Sequence, residues 1–132
     1  MTKSKELLAL IRAIKTGNTL EVSRLIHTGV DLEGTNAAGW TPLVHAANKG
    51  QTKILEILIG AGADVNHGYR SGFTALYSAV LSDHLQAVKI LLKAGAKPYP
   101  VGDDVPLSKN AGYHLKNRKE IIRLIEAAER DG

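Results

Sequence analysis

Short apolar stripes alternate with glycines along most of the chain. In residues 36–66, Pro42 begins one apolar stretch that stops at Gly50, and a second stretch stops at Gly62. Proline at a first helical position and glycine just past the last one are typical helix boundaries. The pattern therefore predicts two short helices in this segment. The second helix carries an apolar stripe with helical spacing, formed by Ile54, Leu55, Ile57 and Leu58.

This pair of predicted helices recurs at a constant repeat interval, the one that separates Thr41 from Thr74. An interval of about 33 residues is typical of stacked supersecondary units. In the third unit Asp83 replaces the glycine between the helices, and Asp adopts the left-handed conformation more readily than most residues. The interval superimposes Gly17 on Gly50, Leu25 on Leu58, Gly29 on Gly62, Gly39 on Gly72, Thr41 on Thr74, Leu43 on Leu76, and Ala46 on Ala79.

The two terminal units follow the pattern less closely. The first opens with polar residues, as expected of a unit that presents one face to water. In the last unit, Ile121 keeps the full repeat interval from Val88, whereas Val105-Pro106-Leu107 comes earlier than that interval requires. We therefore expect two inserted residues somewhere in 108–117. The preceding segment, 97–104, carries two prolines and a glycine and is predicted to be a loop.

The unit resembles the ankyrin repeat. Gly39-Trp40-Thr41-Pro42-Leu43 matches the opening of that repeat, and Gly62-Ala63-Asp64-Val65-Asn66 matches its closing segment. One position departs from the family pattern, because Val44 stands where the family usually has His, and His45 follows one residue later. This repeat therefore lacks, at the usual position, the His that hydrogen-bonds within the turn.

The resemblance implies an all-α fold, an ankyrin-repeat solenoid of stacked helix-turn-helix units with β-turn tips. We expect about four repeats including the caps, within a single domain that covers residues 1–132. The expected repeats are 3–35 as the N-terminal cap, 36–68, 69–101, and 102–132 as a degenerate C-terminal cap.

Composition narrows the class of protein. The chain has no cysteine, which excludes disulfides and thiolate chemistry. The amphipathic start, MTKSKELLALIRAI, is interrupted by Arg12 and does not read as a signal peptide. No stretch approaches the roughly 20 apolar residues that a membrane span needs. We therefore expect a cytoplasmic protein with no membrane association.

The polar residues indicate no catalytic, metal or cofactor site. The five histidines are scattered, and none forms a pair on one helical face. His45 is better explained as a packed imidazole, and Asp103-Asp104 as a solvated turn rather than a metal pair. No glycine-rich loop is followed by the lysine that a phosphate site requires. We expect neither catalysis nor a cofactor.

The resemblance implies instead that the turn tips and first helices form a concave surface that binds a protein partner. Trp40 and Phe73 are separated by one repeat interval and occupy equivalent tip positions. Aromatic residues and Arg are enriched at binding hot spots. Packing of these rings on neighbouring turns is the structural alternative. The candidate partner-binding residues are Trp40, Asn48, Lys49, Tyr69, Arg70, Phe73 and Leu81, and Lys15 and Thr16 match Asn48 and Lys49 in the first unit.

The net charge of +4 is concentrated in the last unit. Its basic patch could contact an acidic partner or nucleic-acid phosphates, or could be a solvated cap. Tyr113 is the sole aromatic residue beside it, so nucleic-acid binding is not favoured. The patch consists of Lys116, Arg118, Lys119 and Arg123.

Taken together, these observations predict a monomeric, non-catalytic module that binds a protein partner through its concave face, with Trp40, Arg70 and Phe73 as anchors. Short ankyrin chains also resemble bacterial or viral modulators. The alternative is therefore an inhibitor or immunity-type protein that neutralises an enzyme or a toxin.

Overall fold

A computed structural model describes residues 2–68, 73–100, 106–110 and 116–131 of the chain. These ranges contain seven α-helices, one 3₁₀ helix and no strand, which confirms the predicted all-α class. The helices are α1 Thr2–Thr16, α2 Thr19–His27, α3 Pro42–Lys49, α4 Thr52–Gly60, α5 Ala75–Leu81, α6 Leu85–Lys93 and α7 Arg118–Asp131, with the 3₁₀ helix at Leu107–Asn110.

The helix boundaries lie where the local sequence signals predict them. The hydroxyl of Thr41 accepts a hydrogen bond from the backbone N–H of Val44 at 3.3 Å, which caps the start of α3. Thr74 caps α5 in the same way through the N–H of Tyr77, at 3.2 Å. A side-chain acceptor at this position satisfies one of the N–H groups that a helix start leaves unpaired. At its other end, α3 stops at Gly50, which has left-handed torsion angles.

The helices form two layers. The inner layer consists of α1, α3 and α5, which contact one another in that order. The outer layer consists of α2, α4, α6 and α7, again in chain order. Two fully buried alanines, Ala46 in α3 and Ala79 in α5, allow close packing of the inner helices. The core between the layers includes Leu10, Ile14, Val22, Leu55, Leu58, Leu76, Leu91, Ile121 and Ile125.

The left-handed residue between the two helices of each unit contacts the following unit. A Cβ atom placed on Gly50 would lie 2.5 Å from Nδ1 of His84, so no larger residue fits without movement of that ring. Nε2 of His84 lies 2.9 Å from the carbonyl oxygen of Asn48. Asp83, with φ of 60°, adopts the predicted left-handed conformation and accepts a hydrogen bond from the N–H of Asn117 at 3.0 Å. One periodic contact therefore links the second unit to the third and the third to the fourth.

A second periodic contact joins the closing segments of the units. Oε2 of Glu33 accepts a hydrogen bond from the N–H of Asp64 at 2.9 Å. Asn66 lies one repeat interval after Glu33, and its Oδ1 accepts a hydrogen bond from the N–H of Lys97 at 2.8 Å. These bonds fix the closing segment of each unit against that of the next.

The last unit returns to the register of the repeat at Asn117. This residue occupies the position equivalent to His84 and bonds to Asp83, the left-handed residue of the preceding unit. The expected insertion therefore precedes Asn117. Leu107 is buried, and the hydroxyl of Ser108 donates to Oε1 of Glu129 at 2.8 Å, so the 3₁₀ helix is attached to α7.

Candidate partner-binding face

The side chain of Asn36 organises the turn that carries Trp40. Its Oδ1 accepts hydrogen bonds from the N–H groups of Ala38 and Trp40, at 2.9 and 3.0 Å. The backbone closes the same turn, because the N–H of Gly39 donates to the carbonyl of Asn36 at 2.9 Å. Gly39 has a φ of 83°, a value that favours glycine. The Trp40 ring is consequently held at the tip of the second unit.

The side chain of His45 packs beneath this tip, against Asn36 and Trp40. The imidazole is only 4% exposed, and its Nε2 lies 3.2 Å from Nδ2 of Asn36. The turn of this repeat therefore has its His contact after all, made through the Asn36 side chain from one position later than in the family pattern. Burial lowers the pKa of His45, and the nearby ammonium groups of Lys15 and Lys49 lower it further. Its burial and its contact with Asn36 fit the packed imidazole that the sequence indicated.

Among the described residues, four rings contact one another in a row that runs from α3 over two turn tips to α5. Trp40 contacts His45 with ring centroids 5.0 Å apart, and it stacks on Phe73 at 5.4 Å with the ring planes 27° apart. Phe73 in turn meets Tyr77 edge-on at 5.6 Å. Trp40 and Phe73 are both half-buried because each covers part of the other. This contact supports the structural alternative for the pair, although neither residue is fully buried.

Three of the other predicted binding residues lie at the ends of the inner helices. Asn48 is half-buried and donates to the hydroxyl of Ser82 at 3.2 Å, which links the ends of α3 and α5. Lys49 is exposed, and Leu81 is 42% exposed at the end of α5. Tyr69 and Arg70 lie outside the described residues.

A cleft of about 290 Å³ lies between the first two units on this face. Lys15, near the end of α1, joins this cleft, and the sequence had named it only as the first-unit match to the candidate binding positions. The signal for it was its equivalence to Asn48, one repeat interval later. The cleft is lined by Lys15, Asn36, Ala38, Trp40, His45, Asn48 and Lys49.

The basic patch of the last unit is separate from this cleft in the fold. It lies at the start of α7, in the outer layer, whereas α1 and α3 form the cleft. Lys116, Lys119 and Arg123 are exposed and Arg118 is half-buried. Nη1 of Arg123 lies 3.4 Å from Oε2 of Glu120, so part of the positive charge is compensated within the helix.

A larger groove, about 800 Å³, lies between the 97–100 segment and α7. Its walls are mostly apolar, with Leu92, Pro98, Tyr99 and Leu124 among them. Glu129 stands at its edge but is already engaged by Ser108. The groove offers no arrangement of polar groups, among the described residues, that identifies a ligand.

Comparison with known proteins identifies the family. The family model described as "Ankyrin repeats (3 copies)" matches residues 10–100, more than half of the chain. The chain belongs to the ankyrin-repeat family. Ankyrin repeats are generally protein-interaction modules and are typically non-catalytic. No curated protein matches the chain.

No helix in the described ranges is long and apolar enough to cross a bilayer. Within the same ranges, no group of three or more His, Asp or Glu side chains is placed to hold a metal ion. The side chains that this ankyrin stack presents at its tips and inner helix ends form its candidate site.

Proposed function

We propose that this ankyrin-repeat chain binds a protein partner through its concave face, as a cytoplasmic monomer that catalyses no reaction itself. The observation that carries the proposal is the composition of that face. Exposed Lys49 and Leu81 stand at the ends of neighbouring inner helices, beside the partly exposed stack of Trp40 and Phe73. Aromatic rings held rigid by packing contribute contact area at a small cost in conformational entropy.

A stable protein–protein interface needs more surface than the cleft provides. A stable interface of standard size buries about 800 Å² on each partner. The 290 Å³ cleft alone is too small for that, so the partner has to extend over the tips and helix ends of at least two units. The same residues could form the contact surface of a scaffold or of an inhibitor. An inhibitor abolishes the activity of its partner, whereas a scaffold leaves that activity intact.

The test compares two charge-matched surface variants. Lys49→Glu combined with Leu81→Glu alters the inner helix ends without touching the aromatic stack. Lys53→Glu combined with Leu20→Glu makes the same chemical change on the outer layer, where Lys53 is exposed and Leu20 is 84% exposed. Each variant and the wild type would be used as bait in lysate from the source organism, after circular dichroism has confirmed equal folding.

We expect the wild type to capture one protein. The outer-layer variant (Lys53→Glu with Leu20→Glu) should retain that protein, and the inner-helix variant (Lys49→Glu with Leu81→Glu) should lose it. Cross-linking of the isolated complex should then place the partner against α3 and α5. Capture that survives the inner-helix change but not the outer-layer change would contradict the proposal. If the captured protein is an enzyme or a toxin, an activity assay with and without the ankyrin chain decides between scaffold and inhibitor.

A further inference from the structure

Two lysines converge on the cleft of the concave face without a negative partner. Lys15 lies in the last turn of α1 and Lys49 ends α3, and both side chains are exposed and line the same cleft. Neither ammonium group forms a hydrogen bond or an ion pair with any part of the chain that the structure describes. Among those same residues, no carboxylate lines the cleft. The cleft therefore carries uncompensated positive charge.

The same positive charge acts on the buried imidazole of His45. After burial, the two causes that lower the pKa of its imidazole are the positive charges of Lys15 and Lys49. Both ammonium groups are therefore close enough to repel a proton on one buried ring. Lys15, Lys49 and His45 also line the same cleft, so the geometry brings both cations to one side of this ring.

Lysine in the last turn of a helix also has a structural explanation, because a cation there interacts favourably with the helix dipole. That effect does not require two such lysines to share a cleft. Lys93, in the last turn of α6, has the same relation to its own helix but lies in the outer layer. It therefore provides a matched control for the dipole contribution.

We propose that the cleft between Lys15 and Lys49 is a subsite for one carboxylate side chain, Asp or Glu, from an extended acidic segment of the partner. This proposal rests on the proposed function and specifies the chemistry of the partner. Drug-sized ligands occupy pockets of roughly 300–1,000 Å³, so a cleft of about 290 Å³, near the lower end of that range, has room for a single side chain.

The neighbouring groups fit such a side chain. Trp40, Lys15 and Lys49 all line the cleft, so a bound carboxylate side chain would have an aromatic wall beside its methylene groups and two ammonium groups near its oxygens. The Asn48 amide uses one N–H on Ser82 and has a second N–H as a further donor. Lysine binds an anion as a point charge and does not need the fixed geometry that a guanidinium requires.

The experiment uses peptides selected from a random dodecapeptide display library against the wild-type protein. Selected peptides would be labelled with fluorescein, and their dissociation constants measured by anisotropy at two salt concentrations. The test variant is Lys15→Gln with Lys49→Gln. The control, Lys89→Gln with Lys93→Gln, removes the same charge from α6 and also removes a last-turn lysine. The Lys49→Glu/Leu81→Glu variant shows whether a peptide binds the concave face at all.

We expect selected peptides to share an Asp or Glu at one position. The test variant should weaken their binding about tenfold, the sum of two modest ion pairs, and the control variant should leave it unchanged. Replacement of that Asp by Asn in the peptide should weaken binding to the wild type but not weaken binding to the test variant any further.

Two outcomes overturn the subsite while leaving the proposed function intact. One is that peptides lost by the Lys49→Glu/Leu81→Glu variant carry no acidic residue or bind the test variant normally. The other is that a short single-stranded DNA displaces them as well as unlabelled peptide does, which would indicate a general anion site. If every selected peptide ignores the Lys49→Glu/Leu81→Glu change, both the subsite and the concave-face function fail.

Discussion

Nε2 of His45 accepts a hydrogen bond from the side-chain amide of Asn36 across 3.2 Å. The direction of this bond follows from the other half of the amide, because Oδ1 of Asn36 already accepts from two backbone N–H groups of the turn. The amide therefore presents its NH₂ group to the ring. Nε2 has to be unprotonated to accept it, so the folded protein holds His45 neutral, with its proton on Nδ1.

This arrangement predicts that stability falls in mild acid. The pKa of His45 is lowered in the folded state by burial and by two lysines, whereas an unfolded chain has a His pKa of about 6.5. The unfolded state then binds more protons as the pH drops through about 6.5, and stability decreases until the folded pKa is passed. Urea unfolding at several pH values should show this loss, and a smaller one for His45→Gln. Parallel pH profiles for the two proteins would contradict it.

Neutralising the cleft lysines should raise the pKa of His45. Lys15→Gln and Lys49→Gln each remove a positive charge that disfavours the imidazolium, but burial remains and keeps the pKa below its ordinary value. An NMR titration of the imidazole C–H signals measures this directly. Lys93→Gln, in the outer layer, should leave the pKa of His45 unchanged. A pKa of His45 that does not respond to Lys15→Gln or Lys49→Gln would place the ammonium groups away from the cleft.

Gly50→Ala should destabilise the protein more than Gly17→Ala does. Both glycines are left-handed, with φ of 66° and 71°, so both variants incur the roughly 1 kcal/mol cost of that conformation. A Cβ on Gly17 would be 3.4 Å from Gln51, an ordinary contact, whereas one on Gly50 would overlap the His84 ring. Overpacking adds about 1–3 kcal/mol. Urea denaturation measures the difference in unfolding free energy between the two variants. When Gly50→Ala is made in a His84→Ala background, most of its extra cost over Gly17→Ala should disappear.

Asp83 has two separable roles that a pair of substitutions can distinguish. Asp83→Gly keeps an easy left-handed conformation but removes the acceptor of the Asn117 N–H, which should cost about 1 kcal/mol. Asp83→Ala loses the same acceptor and adds backbone strain of about 1 kcal/mol more. We expect Ala to be the more damaging change in the free energy of unfolding. Equal effects would mean that φ at this position carries no cost.

The stack of Trp40 on Phe73 should be measurable as a coupling energy. Aromatic pairs contribute about 0.5–1.5 kcal/mol beyond the area they bury. A double-mutant cycle with Trp40→Leu and Phe73→Leu, read by urea unfolding, should give a value in that range. Because Trp40 is the sole tryptophan, its fluorescence should also change in Phe73→Leu. Additive effects of the two substitutions would show that the rings pack independently.

Local signals in the sequence determined most of the fold. The constant repeat interval, the Thr caps at 41 and 74, and the glycine at 50 predict where helices begin and end, because capping and left-handed geometry depend on a few adjacent residues. The same reasoning predicted a left-handed Asp83, and the structure has it at φ of 60°. The family and the all-α class follow from that repeat pattern.

Only the tertiary structure decided how side chains from different units meet. The repeat interval places Trp40 and Phe73 at equivalent positions, but whether their rings stack or diverge depends on the spacing and rotation between units, which no local signal encodes. The same holds for His45, whose contact with Asn36 crosses the turn, and for Lys15 and Lys49, whose charges share one cleft only because α1 and α3 pack side by side. The helices are determined by residues that are adjacent in the sequence. The candidate site, in contrast, is formed by residues that only the packing of the units brings together.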